Sequence, residues 1–294
     1  MPETYPIQGH FAPTFKSNIE MLLQQKQTRF LPHVMQGSYR GEQAQVVDQV
    51  GTLNMNQRTG RLTPIVFSEA AVDRRWVRPF DFDLAQPVER LDKLRTVTDP
   101  TSAYVMTAFA ASQRQIDDQI SGAFFGDALT GKDATTTTSF ATSTQTVGVT
   151  VGATAATGLN MEKILAGIEI LLANEALNDG DTLCLGYAAS QWRDLMGDVR
   201  MTGSDYQMQL ETNSRNLGLT LVHSERLPTD SNGYRRNPMW VKSGMHFAFF
   251  NDLITDISPR KDLQGHPIQI YHQITIDATR TEEGKVVEIK SSEA

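Results

Sequence analysis

Residues 100–125 carry the pattern that most constrains the fold, that of one long amphipathic helix. Apolar or small side chains recur there at steps of three or four residues, the spacing of one helix face: Val105, Phe109, Ser112, Ile116, Ile120 and Phe124. Asp99 is a favoured N-cap residue, and Pro100 is favoured at the first helical position. Such a helix is about 39 Å long at about 1.5 Å per residue. We expect it to form the backbone of a domain.

The clearest strand signal is a period-two alternation in residues 267–277. Isoleucines and one histidine occupy one face, at Ile268, Ile270, His272, Ile274 and Ile276. Polar side chains occupy the other face, which is typical of a strand covered on one side. Residues 286–289 are predicted to be its partner, with residues 281–284 as the turn between them.

An extended two-stranded arm is predicted nearer the amino terminus. Residues 43–50 and 65–80 are rich in valine and aromatic side chains, which favours strands. The polar segment 51–61 with its two glycines indicates a long exposed connection and not a tight hairpin turn. Since an isolated strand pair is marginal in water, this arm needs another surface to lie on.

The remaining segments predict further helices and strands. Residues 15–31 read as an amphipathic helix ended by Pro32, and Asn160 caps a helix stopped by residues 178–181. A compact α/β unit then follows from strands at 182–187 and 217–222 and a helix at 190–198, with strand character again at 239–250. The threonine-rich, uncharged residues 134–158 fit either disorder or short strands and loops.

Composition excludes several classes of protein. A chain of 294 residues makes one large domain or two interleaved subdomains. Its formal charge of −7 argues against DNA binding by charge alone. Cys184 is the only cysteine, which excludes an internal disulfide and a thiolate metal cluster and fits a reducing compartment. We expect neither a secretory signal nor a membrane-spanning helix.

One segment resembles a phosphate-binding loop. Residues 126–132 match the first seven positions of that motif, but Asp133 stands where a hydroxyl is needed for magnesium. The segment also follows a long helix, whereas a phosphate-binding loop follows a strand. The two glycines therefore favour a turn that ends the helix over a nucleotide hydrolase.

Other candidate chemistry is weak. The six histidines lack the spacing of metal ligands on a helix, and Cys184 lies in an apolar strand where a thiol is usually inert. His272 is expected to be a packed or interface side chain. Two carboxylate pairs, Asp81 with Asp83 and Asp117 with Asp118, favour solvated or intersubunit roles over acid–base catalysis. We therefore expect no enzyme activity, no cofactor and no metal.

The two-stranded arm is basic although the chain is acidic. Residues 51–78 hold five arginines against Glu69 and Asp73, a local charge of +3. Opposite charge on arm and body suits binding to a neighbouring copy. The predicted intersubunit residues are Arg58, Arg61, Arg74, Arg75 and Trp76 on the arm, with Asp117, Asp118 and Asp127 as the acidic partners. The alternative is a solvated rim of arginines.

The order of these elements resembles the major capsid protein of tailed bacteriophages with the α+β Hong Kong 97-type fold. The similarity lies in Val46-Val-Asp-Gln-Val50, Trp76-Val-Arg-Pro-Phe-Asp-Phe-Asp83, Asp99-Pro-Thr-Ser-Ala-Tyr104 and Arg114-Gln-Ile-Asp-Asp-Gln-Ile120. The resemblance implies this division: an N-arm at 1–40, an extended E-loop at 41–85, a peripheral domain at 86–150 with a spine helix at 99–125, an axial domain at 151–250, and return strands of the peripheral domain at 251–294.

The same resemblance implies a function without catalysis. Copies would assemble as pentamers and hexamers into an icosahedral virion capsid, built in the host cytoplasm, that holds packaged double-stranded DNA through non-specific contacts. Implied partners are a portal, a separate scaffolding protein and a decoration protein, with no membrane. An encapsulin-like shell around cargo enzymes is the alternative with the same fold.

Two expectations concern how such a shell is built. Relatives that carry their own scaffold place a long helical extension before the arm, and about 14 residues precede the first predicted helix here, so a separate scaffold is expected. Some relatives join an E-loop lysine to a neighbour's asparagine. No lysine lies between Lys26 and Lys93, so we expect no such cross-link.

Overall fold

The structure is a computed structural model that describes residues 24–58, 60–61, 65, 67–88, 101–177, 180–197 and 218–293. Within these ranges the chain forms three β-sheets and three α-helices. None of the described helices is long and apolar enough to cross a membrane.

The first sheet packs against the predicted long helix. It contains β1 (Met35–Ser38), β11 (Met245–Pro259), β12 (Ile268–Arg280) and β4 (Phe80–Val88), in that order. Helix α1 (Thr101–Phe125) lies along one face, where Ile274 and Ile276 share a buried core with Ile116, Ile120 and Phe124. The prediction of this helix is confirmed, while its caps at Asp99 and Pro100 lie outside the described residues.

The second sheet and two helices form the predicted α/β unit. Its strands are β7 (Thr146–Val147), β13 (Val286–Ser291), β10 (Arg235–Val241), β8 (Leu183–Tyr187) and β9 (Leu219–His223), in that order. Helix α2 (Met161–Ala173) begins where the Asn160 side chain accepts the N–H of Lys163, and α3 (Ala189–Gly197) follows β8. Ile164, Leu195 and Met239 belong to one buried core between them.

The third sheet contains the arm. It consists of β2 (Ala44–Val50), β3 (Val72–Val77), β5 (Ala128–Thr130) and β6 (Thr136–Thr138), in that order. We call residues 44–77 the hairpin. Ala44 and Val77 pack against Ala248 on the face of the first sheet that is turned away from α1. The base of the hairpin therefore lies on its own body, as a marginal strand pair requires.

The predicted pairing of the last two strands is wrong. Strand β12 pairs with β11 and β4, while β13 pairs with β10, with Trp240 opposite Val286. The reason is Thr281, whose N–H donates to Gly244 O at 3.0 Å and whose hydroxyl donates to Ser243 O at 2.7 Å. These bonds fix the 3-10 turn Glu283–Lys285 beside the 3-10 turn Lys242–Gly244, so the chain passes into the second sheet.

Three further predictions are refined by the structure. The predicted strand at 239–250 is interrupted by that same turn, and among residues 65–80 a regular strand begins only at Val72. The threonine-rich residues 134–158 form short strands and loops, the second of the two alternatives.

The predicted helix at 15–31 is wrong where it can be compared. Residues 24–30 are not helical and lead to a 3-10 turn, Leu31–His33, while residues 15–23 lie outside the described residues. The carboxylate of Asp117 accepts the backbone N–H groups of Arg29 and Phe30 at 2.9 and 3.3 Å. The N–H groups of Arg29 and Phe30 therefore bond a side chain of helix α1 and do not bond within a helix of their own.

Candidate assembly interface

The hairpin exposes an unusual amount of apolar surface. Among its described residues, six apolar side chains are each more than half exposed: Val50, Leu53, Met55, Ile65, Phe67 and Val72. Phe67 is 87% exposed and Met55 is fully exposed. A soluble monomer rarely concentrates so many large apolar side chains on one segment, and such patches mark interaction sites.

The outer arginines of the hairpin lie at its surface. Arg58 is exposed and donates from Nε to Gly60 O at 2.9 Å, and Arg61 is also exposed. Arg74 is ion-paired with Asp48 across the hairpin at 3.0 Å. That pair is more than one-third exposed on both sides, so it contributes little to stability.

Arg75 and Trp76, both predicted intersubunit residues, are bonded within the chain, and the burial of Arg75 argues against that role for it. Arg75 is 5% exposed, donates from Nε to Thr281 O at 3.1 Å and lies 3.7 Å from Glu283. The indole N–H of Trp76 donates to Gly131 O at 2.7 Å. Adjacent strand residues point to opposite faces, so Arg74 stays outside while Arg75 is turned inward.

The predicted acidic partner Asp117 is also internal, so that prediction is wrong. It is fully buried on α1, and its carboxylate accepts N–H groups of Arg29 and Phe30 and the side-chain amide of Gln25. Burial raises the pKa of Asp117, against the lowering effect of those donors. A carboxylate enclosed in this way cannot reach an arginine of another copy.

Asp118 and Asp127 lie nearer the surface. Asp118 forms a two-pronged ion pair with Arg226, which joins α1 to the loop after β9. Asp127 is exposed just after α1 ends. Asp118 therefore has a partner within its own chain, and Asp127 alone of the three predicted acids is exposed.

A buried arginine, which the sequence analysis missed, joins three parts of the fold. Arg280 is 1% exposed and donates from Nη1 to the carbonyl oxygens of Ala123, Phe124 and Gly126. Its Nε donates to Glu283 at 3.1 Å, the carboxylate that also faces Arg75. The sequence signal was absent because residues 280–284 have the composition of an ordinary polar turn.

Two titratable side chains under the hairpin were missed as well. His246 Nε2 and the Tyr39 hydroxyl share a hydrogen bond of 2.9 Å, and Asp277 accepts the backbone N–H of Arg78 at 2.8 Å. Asp277 follows the polar face of the alternating strand, so period-two reading placed it in solvent. His246 carried a signal, because it is the polar residue in the apolar run 245–250.

The other residues that were considered for catalysis or ligand binding have structural roles. The N–H of Gly131 donates to Asp73 at 2.9 Å, and residues 128–130 form β5, so this segment is built as a strand and a turn and not as an open phosphate cradle. His272 is buried and bonded to Thr255 at 3.1 Å. Burial raises the pKa of Cys184 to about 12. The described residues contain no cluster of three or more potential metal ligands.

Comparison with known proteins gives one consistent result. A model of the phage capsid protein family matches residues 7–293. The capsid structure of the cyanophage P-SCSP1u is similar with a TM-score of 0.73 at 12% identity, over 98% of this chain and 94% of that one. The cyanophage Pam1 capsid has a TM-score of 0.73 at 12% identity, over all of both chains.

A third structure agrees with these two. The capsid of Ralstonia phage GP4 has a TM-score of 0.72 at 11% identity, over 99% of this chain and 98% of that one. A sequence search against curated proteins found no significant match. The mixed α+β capsid fold implied by the resemblance is confirmed, and with a family match over nearly the whole length the chain belongs to the phage capsid protein family.

Proposed function

We propose that this protein is the shell-forming subunit of a tailed-phage virion, and that copies join as pentamers and hexamers into an icosahedral capsid around double-stranded DNA. The observation that carries the proposal is the exposed apolar surface of the hairpin. In this role the protein acts by burying surface between copies and not by catalysis.

The hairpin is suited to reach a second copy because its described apolar side chains are buried at the base and exposed farther along. Ala44 and Val77 are buried at the base, while Leu53, Met55 and Phe67 remain exposed farther along. Burying a large apolar side chain contributes on the order of 1.5–3 kcal/mol. Each subunit repeats the contact, so these contributions accumulate around a closed shell.

Fewer charged side chains are available for contact with another copy than the sequence analysis predicted. Arg58 and Arg61 are the hairpin arginines left for an intersubunit role, with Asp127 as the exposed acidic candidate. The acidic balance of the whole chain, −7, limits non-specific adhesion to the packaged DNA. A portal, a scaffolding protein and a decoration protein remain proposed partners, and assembly is proposed to occur in the host cytoplasm.

The decisive test is the assembly state of a hairpin variant. Ile65→Ser combined with Phe67→Ser should leave the subunit folded, because both side chains are exposed, and should abolish or strongly reduce shells. Size-exclusion chromatography and negative-stain microscopy measure the shells, and circular dichroism checks the fold. Gln57→Ser, an exposed polar change in the same hairpin, is the matched control. Normal shells from the double variant would contradict the proposal.

A second measurement separates a virion from an enzyme compartment. Particles purified from phage-producing cells should carry double-stranded DNA, seen as nuclease-resistant nucleic acid. A content of one enzyme without DNA would instead support the encapsulin-like alternative.

A further inference from the structure

Both ends of the hairpin are fixed to the same face of the first sheet by titratable side chains. At the N-terminal end, the Tyr39 hydroxyl bonds His246 Nε2 at 2.9 Å. At the C-terminal end, the Arg78 N–H donates to the Asp277 carboxylate at 2.8 Å. The two anchors therefore hold the points at which the chain enters and leaves the hairpin.

The anchors are close to each other and shielded from water. In the pairing of β11 with β12, Ala248 lies opposite Asp277, and His246 lies two residues before Ala248 on the same face. His246 is 5% exposed and Asp277 is 9% exposed. The base of the hairpin covers this face through Ala44 and Val77.

The groups around the anchors carry little charge. Beside His246, β1 leads to Tyr39, and β12 presents Thr279 opposite the histidine. Beside Asp277, the hairpin presents Arg78, but its guanidinium donates to Ala134 O at 2.9 Å. Two further titratable groups lie on this face: the Tyr39 hydroxyl bonds His246, and the Asp81 carboxylate accepts the hydroxyl of Thr275, two residues before Asp277 on β12. Burial is thus the main influence on both anchors.

We propose that the hairpin is held by two anchors of opposite proton response, so that acidification loosens its N-terminal end at Tyr39 and tightens its C-terminal end at Arg78. The inference concerns the single subunit and does not depend on assembly into a shell.

The histidine anchor weakens in acid. Burial lowers the pKa of His246 from 6.5 to about 4. Between these values the histidine stays neutral while the N-terminal end is packed on the sheet, and it binds a proton when that end detaches. Within the described residues Nδ1 is enclosed without a partner, so a protonated ring would bury an unpaired N–H. From pH 7 to pH 5 the opening constant of this end should rise about twentyfold.

The aspartate anchor behaves in the opposite way. Burial raises the pKa of Asp277 from 3.8 to about 6, although the N–H groups of Arg78 and Ala278 lower it. The closed end therefore takes up a proton as the pH falls through 6, while the opened end stays charged down to about 4. From pH 7 to pH 5 the opening constant of this end should fall about tenfold.

Hydrogen exchange at two amides measures the two ends separately. The Tyr39 N–H, which donates to Phe249 O at 2.8 Å, reports the N-terminal end. The Arg78 N–H reports the C-terminal end. Protection of each amide is measured by NMR on dilute unassembled subunits at both pH values, after correction for the intrinsic rate. Added salt keeps the protein dissolved near its isoelectric point of about 5.4.

Variants assign each response to its anchor. His246→Gln should remove the pH dependence at Tyr39 and leave that at Arg78, and Asp277→Asn should do the reverse. His223→Gln and Asp256→Asn, at more exposed sites away from the hairpin base, are the matched controls and should preserve both responses.

The wild-type protein alone, measured at pH 7 and pH 5, is a sufficient test even if a variant folds poorly. Protection that falls at Tyr39 and rises at Arg78 on acidification supports the proposal. Changes of the same sign at both amides, or no change at either, would overturn it. A shell defect in the hairpin variants would bear only on the proposed function.

Discussion

The guanidinium of Arg280 lies 3.1 Å from the carbonyl oxygen of Phe124, so the last residue of β12 closes the carboxyl end of helix α1. The final carbonyls of a helix lack partners within the helix and carry its negative dipole end. Arg280 satisfies three of these acceptors from a buried position, with Glu283 balancing its charge. Loss of this arginine removes a donor from three carbonyl oxygens at the helix end and leaves Glu283 with Arg75, 3.7 Å away, as its cationic neighbour.

Arg280→Leu should therefore lower the free energy of unfolding by about 3–5 kcal/mol, the usual cost of breaking a buried ion pair. Urea unfolding followed by tryptophan fluorescence measures the change. Arg193→Leu, which removes an arginine that is largely exposed, should leave the midpoint almost unchanged. Equal effects of the two substitutions would contradict the assigned role of Arg280.

Lys163 should give the protein a distinct alkaline response. Its ammonium is buried and donates to the carbonyls of Thr157, Gly158 and Lys290 at 2.7–3.0 Å, and burial lowers its pKa from 10.5 to about 8. The folded state thus releases the proton before the unfolded state does. Stability from this group should rise as the pH rises from about 8 to about 10.5.

The test compares urea midpoints of wild type and Lys163→Met across that pH window. The difference between the two proteins should change with pH in favour of the wild type, since other titrating groups are common to both. Parallel pH profiles would show that Lys163 titrates normally.

Cys184 should be unreactive in the folded protein. The thiol is fully buried in β8, and burial raises its pKa to about 12, so almost no thiolate exists at pH 8. A chromogenic disulfide reagent should detect no thiol in native protein and one thiol per chain after unfolding in urea. Rapid reaction of the native protein would show that β8 opens readily.

Shells should dissociate fully in boiling detergent, because residues 27–92 contain no lysine for an isopeptide bond from the hairpin. Denaturing gel electrophoresis of mature particles should give this protein as a single band, with no bands at multiples of its mass. Covalent ladders in which mass spectrometry finds a hairpin residue would disprove this expectation. The subunits are then held by non-covalent contacts.

The spacing of apolar side chains is enough to predict those helices and strands whose form does not depend on distant parts of the chain. The 3.6-residue pattern over 100–125 and the two-residue pattern over 267–277 each survive as α1 and β12. Each of the two elements buries one continuous face, and the spacing of apolar side chains along the sequence shows which face that is. The order of such elements along the chain resembles that of tailed-phage capsid proteins, and this resemblance implied the capsid fold.

Long-range hydrogen bonds account for the failed predictions. The turn after Arg280 has hairpin composition, yet bonds from Thr281 to Ser243 and Gly244 carry the chain to another sheet. Asp117 similarly accepts the N–H groups of Arg29 and Phe30, in a segment where the local sequence pattern predicts a helix. Counting charges on the hairpin also could not tell Arg74 from Arg75, because the direction of each side chain depends on the strand register.

The two sheets are joined by two neighbouring covalent crossings, at Lys242–Gly244 and Glu283–Lys285, and this limits how they move relative to each other. A single connection would permit rotation about three axes. Two connections side by side, tied by the Thr281 bonds, resist twisting of one sheet against the other. The buried core that Trp240 and Val286 share with Phe247 and Ile276 adds to them, so the two sheets behave as one body when a force acts on either.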